Sequence, residues 1–312
     1  MKKLLLLALT FTCLGSFIQA QEWEYGVFIG PAQYQGDLSK AQITWPKTRF
    51  QGGALARLNL NSKMAVKFGF YAGRVTGADK FWGEKFDGGV AFQPQIGNSD
   101  NTHNYYWRKK RNLDFFSNIF ELTAHFEYNL MKFIPGSPRY RWTPYLLAGF
   151  SAFHFNPKTT LNGTTYKLVD YRTEYEKIQK MDQGKKAYSL FSFAIPTGIG
   201  IKYNLGRLWT VAFEIAGRKT FTDYLDDVHF NFPYNPAGGT AQVTIGSIDA
   251  QLADRRTEAL DPKGNAFKAY DFSRAPATTK EVRRGDPRQM DTYIFTGFTL
   301  TKTIRKYVCA SF

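Results

Sequence analysis

Three groups of residues in this 312-residue chain have the types and spacing to do chemistry. His125 and Glu127 stand two positions apart, and Glu121 shares their parity. On a strand all three side chains point to one face, and an imidazole beside a carboxylate can act as general acid and base. The same residues also suit a lumen polar network balanced by Arg57, Lys67, Lys202 or Glu214. Charge held away from water must be paired, so the network is the expected role. His154 with Ser151 is the second group. A histidine-activated serine needs both side chains together, but residues three apart on a strand face opposite ways. Asp223, Asp226 and Asp227 form the third, beside Arg218 and Lys219. Clustered carboxylates can bind calcium, but this spacing matches no calcium loop, so ion pairs to the adjacent bases are expected. Histidines 103, 125, 154 and 229 leave little material for zinc. No metal, cofactor or catalytic residue is expected.

The elements that must position these groups read as strands. From Phe120 to Tyr128, Phe120, Leu122, Ala124, Phe126 and Tyr128 alternate with Glu121, Thr123, His125 and Glu127. A period of two is the pattern of a strand with one apolar and one polar face. Similar runs cover about 23–34, 53–60, 64–71, 145–155, 195–204, 209–216 and 291–303. Both parities of the last carry apolar residues, which leaves its facing open, and Pro196 costs a ladder bond and marks a bulge or a late start to its strand. Short or moderate connections (Asn61-Ser62-Lys63, 131–142, 204–208) alternate with long ones. That asymmetry belongs to outer-membrane barrels, which turn their apolar face outward, whereas a soluble lipocalin-like barrel turns it inward. Aromatics at strand ends (Tyr128, Tyr203, Trp209, Phe221, Tyr293) suit an interfacial girdle. The expected fold is all-β: an eight-stranded antiparallel transmembrane barrel with short periplasmic turns and long extracellular loops. Side chains fill so small a barrel, which argues against a general porin.

The chain opens with Lys2, Lys3, an apolar stretch from Leu4 and a small Ala20. This reads as a signal peptide over 1–20, with the barrel domain over 21–312 and both termini periplasmic. Cys309 is then the one remaining thiol, so no internal disulfide is possible. The net charge of +15 becomes +13 without Lys2 and Lys3. Its basic clusters lie in separate segments, which speaks against nucleic acid and fits attraction to phosphorylated outer-membrane lipid, including lipopolysaccharide, or to acidic partners.

Four blocks resemble the PorG-like outer-membrane barrels of Bacteroidetes, which are associated with the type IX secretion system. They are Gly30, Tyr34, Gly36, Asp37 and Leu38; Pro144 to Lys158; Arg218 to Val228; and Arg284, Gly285, Asp286, Asp291 and Tyr293. The resemblance implies a non-enzymatic part of that machinery, holding a periplasmic ring of a lipoprotein and its partner against the outer membrane. Partner contacts would then fall on Asn61, Ser62, Lys63, Arg139, Arg141 and Arg207. The alternatives are an adhesin or ligand-binding barrel acting through long loops such as 229–290, and a lipid-modifying enzyme using His154 or His125. Barrel closure brings the first, third and fourth blocks to one rim. A structural cluster of Tyr34, Gly36, Asp37, Arg218, Asp223, Asp226, Asp227, Arg284 and Asp291 is expected there, with Asp37, Asp226 and Asp227 pairing with Arg218 and Arg284 to seal the outer mouth.

Overall fold

The computed structural model describes residues 22–39, 48–79, 111–230, 232–233, 243–244, 247–258, 284–285 and 287–304. The segment expected to be a signal peptide, the tail after Ile304 and most of the 229–290 loop lie outside them.

Strands β1 (Glu22–Gln35), β2 (Arg49–Asn59), β3 (Met64–Ala78), β4 (Asp114–Asn129), β5 (Trp142–His154), β8 (Phe191–Asn204), β9 (Trp209–Thr220) and β10 (Thr292–Ile304) make the wall. Each pairs antiparallel with its neighbours in the order β3-β2-β1-β10-β9-β8-β5-β4, and pairing of β3 with β4 closes the ring. This is an all-β, closed, eight-stranded antiparallel barrel. A short hairpin, β6 (Pro157–Leu161) with β7 (Thr164–Lys167), continues the wall where β6 pairs with the start of β4. Among the described residues, the helices α1 (Tyr175–Asp182) and α2 (Ile248–Ala253) belong to the long connections. No described helix is long and apolar enough to cross a membrane.

The alternation seen in the sequence is the inside–outside alternation of the wall. On β4, Phe120, Leu122, Phe126 and Tyr128 are exposed, while Glu121, Thr123, His125 and Glu127 are buried. The outer belt continues through Tyr25, Val27, Ile29, Phe68, Phe70, Phe150, Phe193, Ile199 and Phe298. An apolar exterior over a polar interior is the transmembrane pattern, the reverse of a soluble barrel.

β10 settles its facing here: Phe298, Leu300 and Ile304 point out, whereas Tyr293 and Phe295 are fully buried in the lumen. Tyr293 is therefore no girdle residue. Pro196 produces neither a bulge nor a late start. β8 begins at Phe191, and the pairs Ala148↔Thr197 and Ser151↔Ala194 keep one register across it. The missing N–H interrupts the ladder without shifting the chain.

The two rims differ. The turns 60–63, 130–141 and 205–208 share one rim with Glu22 and Ile304, the described ends of the barrel. Exposed Tyr128, Trp142, Tyr203 and Trp209 ring that end. Lys63, Arg141 and Lys302 stand 5.9, 5.4 and 5.7 Å from the Tyr128, Tyr203 and Trp209 ring centres. Such amphipathic rings with cations over them suit a membrane–water boundary. Every long connection emerges at the other rim.

Candidate functional site

The lumen is filled in two layers. The half nearer the turns is ionic and centred on Glu127. Its carboxylate lies 2.9 Å from Arg57 Nε, 2.6 Å from Lys202 Nζ and 3.3 Å from Lys67 Nζ. Arg57 Nη1 also reaches Glu24 at 2.9 Å, and Lys67 pairs with Glu214. Asn59 and Thr301 donate to Glu24, each at 2.6 Å, and the Tyr145 hydroxyl donates to Glu214 at 2.8 Å. Arg57, Lys67 and Lys202 thus balance Glu24, Glu127 and Glu214 with all six groups buried. The arrangement meets the condition on which buried charge is tolerable.

The half nearer the long loops is aromatic. Phe28 meets Tyr71 edge-on at 5.4 Å, and Phe153 meets Tyr293 at 5.5 Å. Within this layer Tyr293 donates to Glu121 at 2.8 Å, and Arg218 Nε stands 3.5 Å from Glu121. The Arg218 guanidinium also donates to the Ala216 carbonyl at 2.7 Å and lies 4.3 Å from the Phe295 ring centre. The expected pairing of Arg218 with the rim aspartates is therefore incorrect. On β9 its parity is inward, so it reaches down to Glu121 instead of up to the loops. His125 makes no acid–base pair: its Nε2 meets Thr123 Oγ1 at 2.7 Å, and its Nδ1 has no hydrogen-bond partner. Paired charges and aromatic rings thus fill the two halves of the lumen.

At the loop rim the connections close over the aromatic layer. Asp227 adopts a left-handed φ of 64°, a conformation an aspartate tolerates better than most residues. There its carboxylate receives Thr173 at 2.6 Å, Lys177 at 2.7 Å and Tyr188 at 2.6 Å. Arg284 Nη1 stands 3.7 Å from the same carboxylate and donates to the Asp227 carbonyl. Arg284 also pairs with Glu174 at 3.1 Å, and Glu174 accepts the His229 N–H at 2.7 Å. Burial pushes the Glu174 carboxyl up to about 7, against the opposing pull of Arg284. Burial likewise lowers the Lys177 ammonium, against the pull of Asp227. Arg111 forks onto Asp79 at 2.7 and 2.8 Å and donates to the backbone carbonyls of Asp37 and Arg284. One arginine thus ties three long connections together.

Asp226 is bound by a different device. The Tyr34 hydroxyl lies 2.6 Å from Asp226 Oδ2 and 2.7 Å from Asp291 Oδ1. Val228 N–H caps the other Asp226 oxygen and Leu225 N–H the other Asp291 oxygen, both at 2.9 Å. The expected pairing of Asp226 with an arginine is replaced by this carboxyl–phenol–carboxyl bridge. Gly36 is needed beside it, because a Cβ there would lie 2.0 Å from both Asp291 Oδ1 and the Tyr34 oxygen. Asp223 meets His229 Nδ1 at 2.7 Å. Among the described residues no three histidine, cysteine or acidic side chains are grouped to hold a metal.

The turn rim carries the residues expected to meet partners. Asn61 Oδ1 accepts from the N–H groups of Lys63 and Met64, at 2.8 and 2.9 Å, and so shapes the β2–β3 turn. Lys63 Nζ donates to Leu130 O at 3.1 Å and Phe133 N–H to Ser62 O at 3.0 Å, which ties neighbouring turns together. Arg139, Arg141 and Arg207 are exposed there. His154 faces outward between Phe120 and Phe191, and Ser151 faces the lumen, so the two make no pair. Sequence reasoning missed Glu174, Lys177, Tyr188, Asp79 and Arg111. Their partners are distant in sequence, so no local signal marked them.

A family described as a domain of unknown function (DUF6089) matches residues 84–236. No curated protein matches the chain. Three of the solved structures similar to the chain are the following. Ail of Yersinia pestis, in complex with the heparin analogue sucrose octasulfate, has 7% identity and a TM-score of 0.37, with 92% of this chain and 100% of Ail covered. The N-terminal β-barrel domain of Pseudomonas aeruginosa OprF has 8% identity and a TM-score of 0.34, with 92% and 100% covered. Neisserial surface protein A has 10% identity and a TM-score of 0.35, with 91% and 99% covered. The closed barrel described above rests on this chain's own strand pairing.

Proposed function

We propose that the protein is a non-enzymatic outer-membrane barrel that works at its rims and not through its lumen. The single observation that carries this reading is the lumen itself, filled by paired charges below and aromatics above, and roofed by the loops. On this reading the apolar belt meets lipid, the turn rim and both termini face the periplasm, and the long loops face outward. The four blocks resembling PorG-like barrels support a role in type IX secretion, with the turn rim anchoring a periplasmic ring of a lipoprotein and its partner. Asn61, Ser62, Lys63, Arg139, Arg141 and Arg207 supply that surface. Deleting the gene should abolish or strongly reduce export of cargo bearing C-terminal secretion signals, and a plasmid copy should restore it. Normal export in the deletion strain would reject the secretion role.

One observation favours a second reading. The β6–β7 hairpin, α1 and the arginine-tied loops make an ordered outer surface suited to binding. Normal export combined with lost surface attachment would select that adhesin-like function.

A further inference from the structure

On the reading of the barrel as membrane-inserted, we propose that its outer wall carries a seat for a phosphorylated membrane lipid, spanning β2, β3, β4 and the β6–β7 hairpin. The exterior of β2 is a smooth column, Ala56, Ala54 and Gly52, and bulky neighbours flank it at Ala56 and Ala54. The register sets Phe68 beside Ala56, Phe70 beside Ala54 and Ala72 beside Gly52, with Tyr25 and Val27 on the β1 side. A groove of about 600 Å³ crosses the wall at this step, from Tyr25 through Ala54, Ala56, Phe68 and Phe70 to Leu122 and Phe150, and the small-residue column of β2 continues it to Gly52. From Ala56 to Phe50 the column is about 20 Å long at ~3.4 Å per residue. With strands tilted by about 40°, that covers about 15 Å of depth, half of a ~30 Å hydrocarbon core. A column of that length matches an acyl chain of one leaflet.

The wall at the loop end of this column is basic. Gln51 pairs with Gly73, so Phe50 and Arg74 stand side by side at the next position, where Phe50 is 76% exposed. Arg74 is exposed and is held upright by its Nε donation to Asn118 at 2.8 Å and by the Phe116 ring at 4.9 Å. Phe116 pairs with Lys158, and Lys158 with Lys167. Two strand spacings and two residues separate Arg74 from Lys158, about 12 Å between Cα atoms. None of the three bases has an acidic partner among the described residues. The acid nearest on this wall, Asp114, is engaged by Arg255. Unneutralised cations directly above an apolar groove complement a lipid whose phosphates sit at the head of its acyl chains.

Titrating diphosphorylated lipid A into the full mature barrel in zwitterionic micelles tests the seat by calorimetry. Saturable binding is expected, weakened about 30-fold in Arg74→Gln/Lys158→Gln, roughly fivefold for each base removed. Ala54→Trp, which fills the groove, should weaken it independently, and dephosphorylated lipid A should bind poorly. Equal binding of dephosphorylated lipid, unchanged affinity in both variants, or full competition by inorganic phosphate would each overturn the seat. Heat-modifiable mobility after vesicle insertion is read in parallel. A barrel that fails to insert rejects the membrane reading, whereas one that inserts normally and shows no phosphate preference rejects the seat alone.

Discussion

Glu127→Gln should destabilise the barrel by about 3–5 kcal/mol, the usual consequence of removing one partner from a buried charge network. The substitution keeps the shape of the side chain and removes only its charge. Arg57, Lys67 and Lys202 would then share Glu24 and Glu214, leaving one uncompensated positive charge among buried groups. Denaturant unfolding in lipid vesicles, followed by tryptophan fluorescence, measures the effect. Lys202→Met in the same background removes the excess charge and should recover at least half of the loss, because the two sites share one network and are not additive. A loss below about 1 kcal/mol would mean that water or a counter-ion satisfies the network.

The outer roof should loosen as pH rises towards and past neutrality. The Tyr34 hydroxyl has one proton but stands within hydrogen-bond distance of two carboxyls, at 2.6 and 2.7 Å. The second contact needs a proton on Asp226 or Asp291. Burial, aided by the nearby Asp37, pushes Asp226 up to about 7. Burial, aided by Asp226, raises Asp291 in the same direction. Arg111 opposes the Asp226 shift and is too engaged with Asp79 to cancel it. Free aspartate titrates near ~3.9, so between about 4 and 7 the folded roof holds a proton that the unfolded chain has lost. The stabilisation is full below ~4 and disappears as pH climbs through about 7. Protection from hydrogen exchange over 222–228, taken relative to the intrinsic exchange rate at each pH, should therefore fall as pH rises from 5 to 8. In Asp291→Asn the amide donates permanently to Tyr34 while its carbonyl still accepts from Leu225, so protection relative to the intrinsic rate should become nearly independent of pH. An unchanged pH profile in that variant would contradict the shared proton. Tyr34→Phe should weaken the roof at every pH by about 1–3 kcal/mol, having removed the common donor.

The wall was legible in the sequence because a strand's period of two survives without any knowledge of its partners. Phe120 to Tyr128 disclosed both faces, and alternating connection lengths assigned lipid and lumen. β10 was not legible, since Tyr293 and Phe295 fill the aromatic half of the lumen while Phe298 and Leu300 face out. Apolar residues on both parities then carry different meanings. At the rim, closure alone brings Tyr34, Asp226, Asp227, Arg284 and Asp291 together, but the pairing within the cluster depends on side-chain direction. Arg218 illustrates the limit: its neighbours in sequence are the rim aspartates, yet its strand parity sends it inward to Glu121. Glu174 and Lys177 escaped notice because their partners are about 50 to 110 positions away, a pairing no local pattern encodes.

Site-specific photocrosslinking in native outer membranes tests most directly whether the barrel works at its turn rim. Crosslinkers placed at Lys63, Arg139 and Arg207 should each yield an adduct containing a periplasmic lipoprotein, and the adduct should disappear when that lipoprotein is depleted. Crosslinkers at Lys185, on the loop side, should not. Adducts confined to the loop side, with none from the turn rim, would contradict the account.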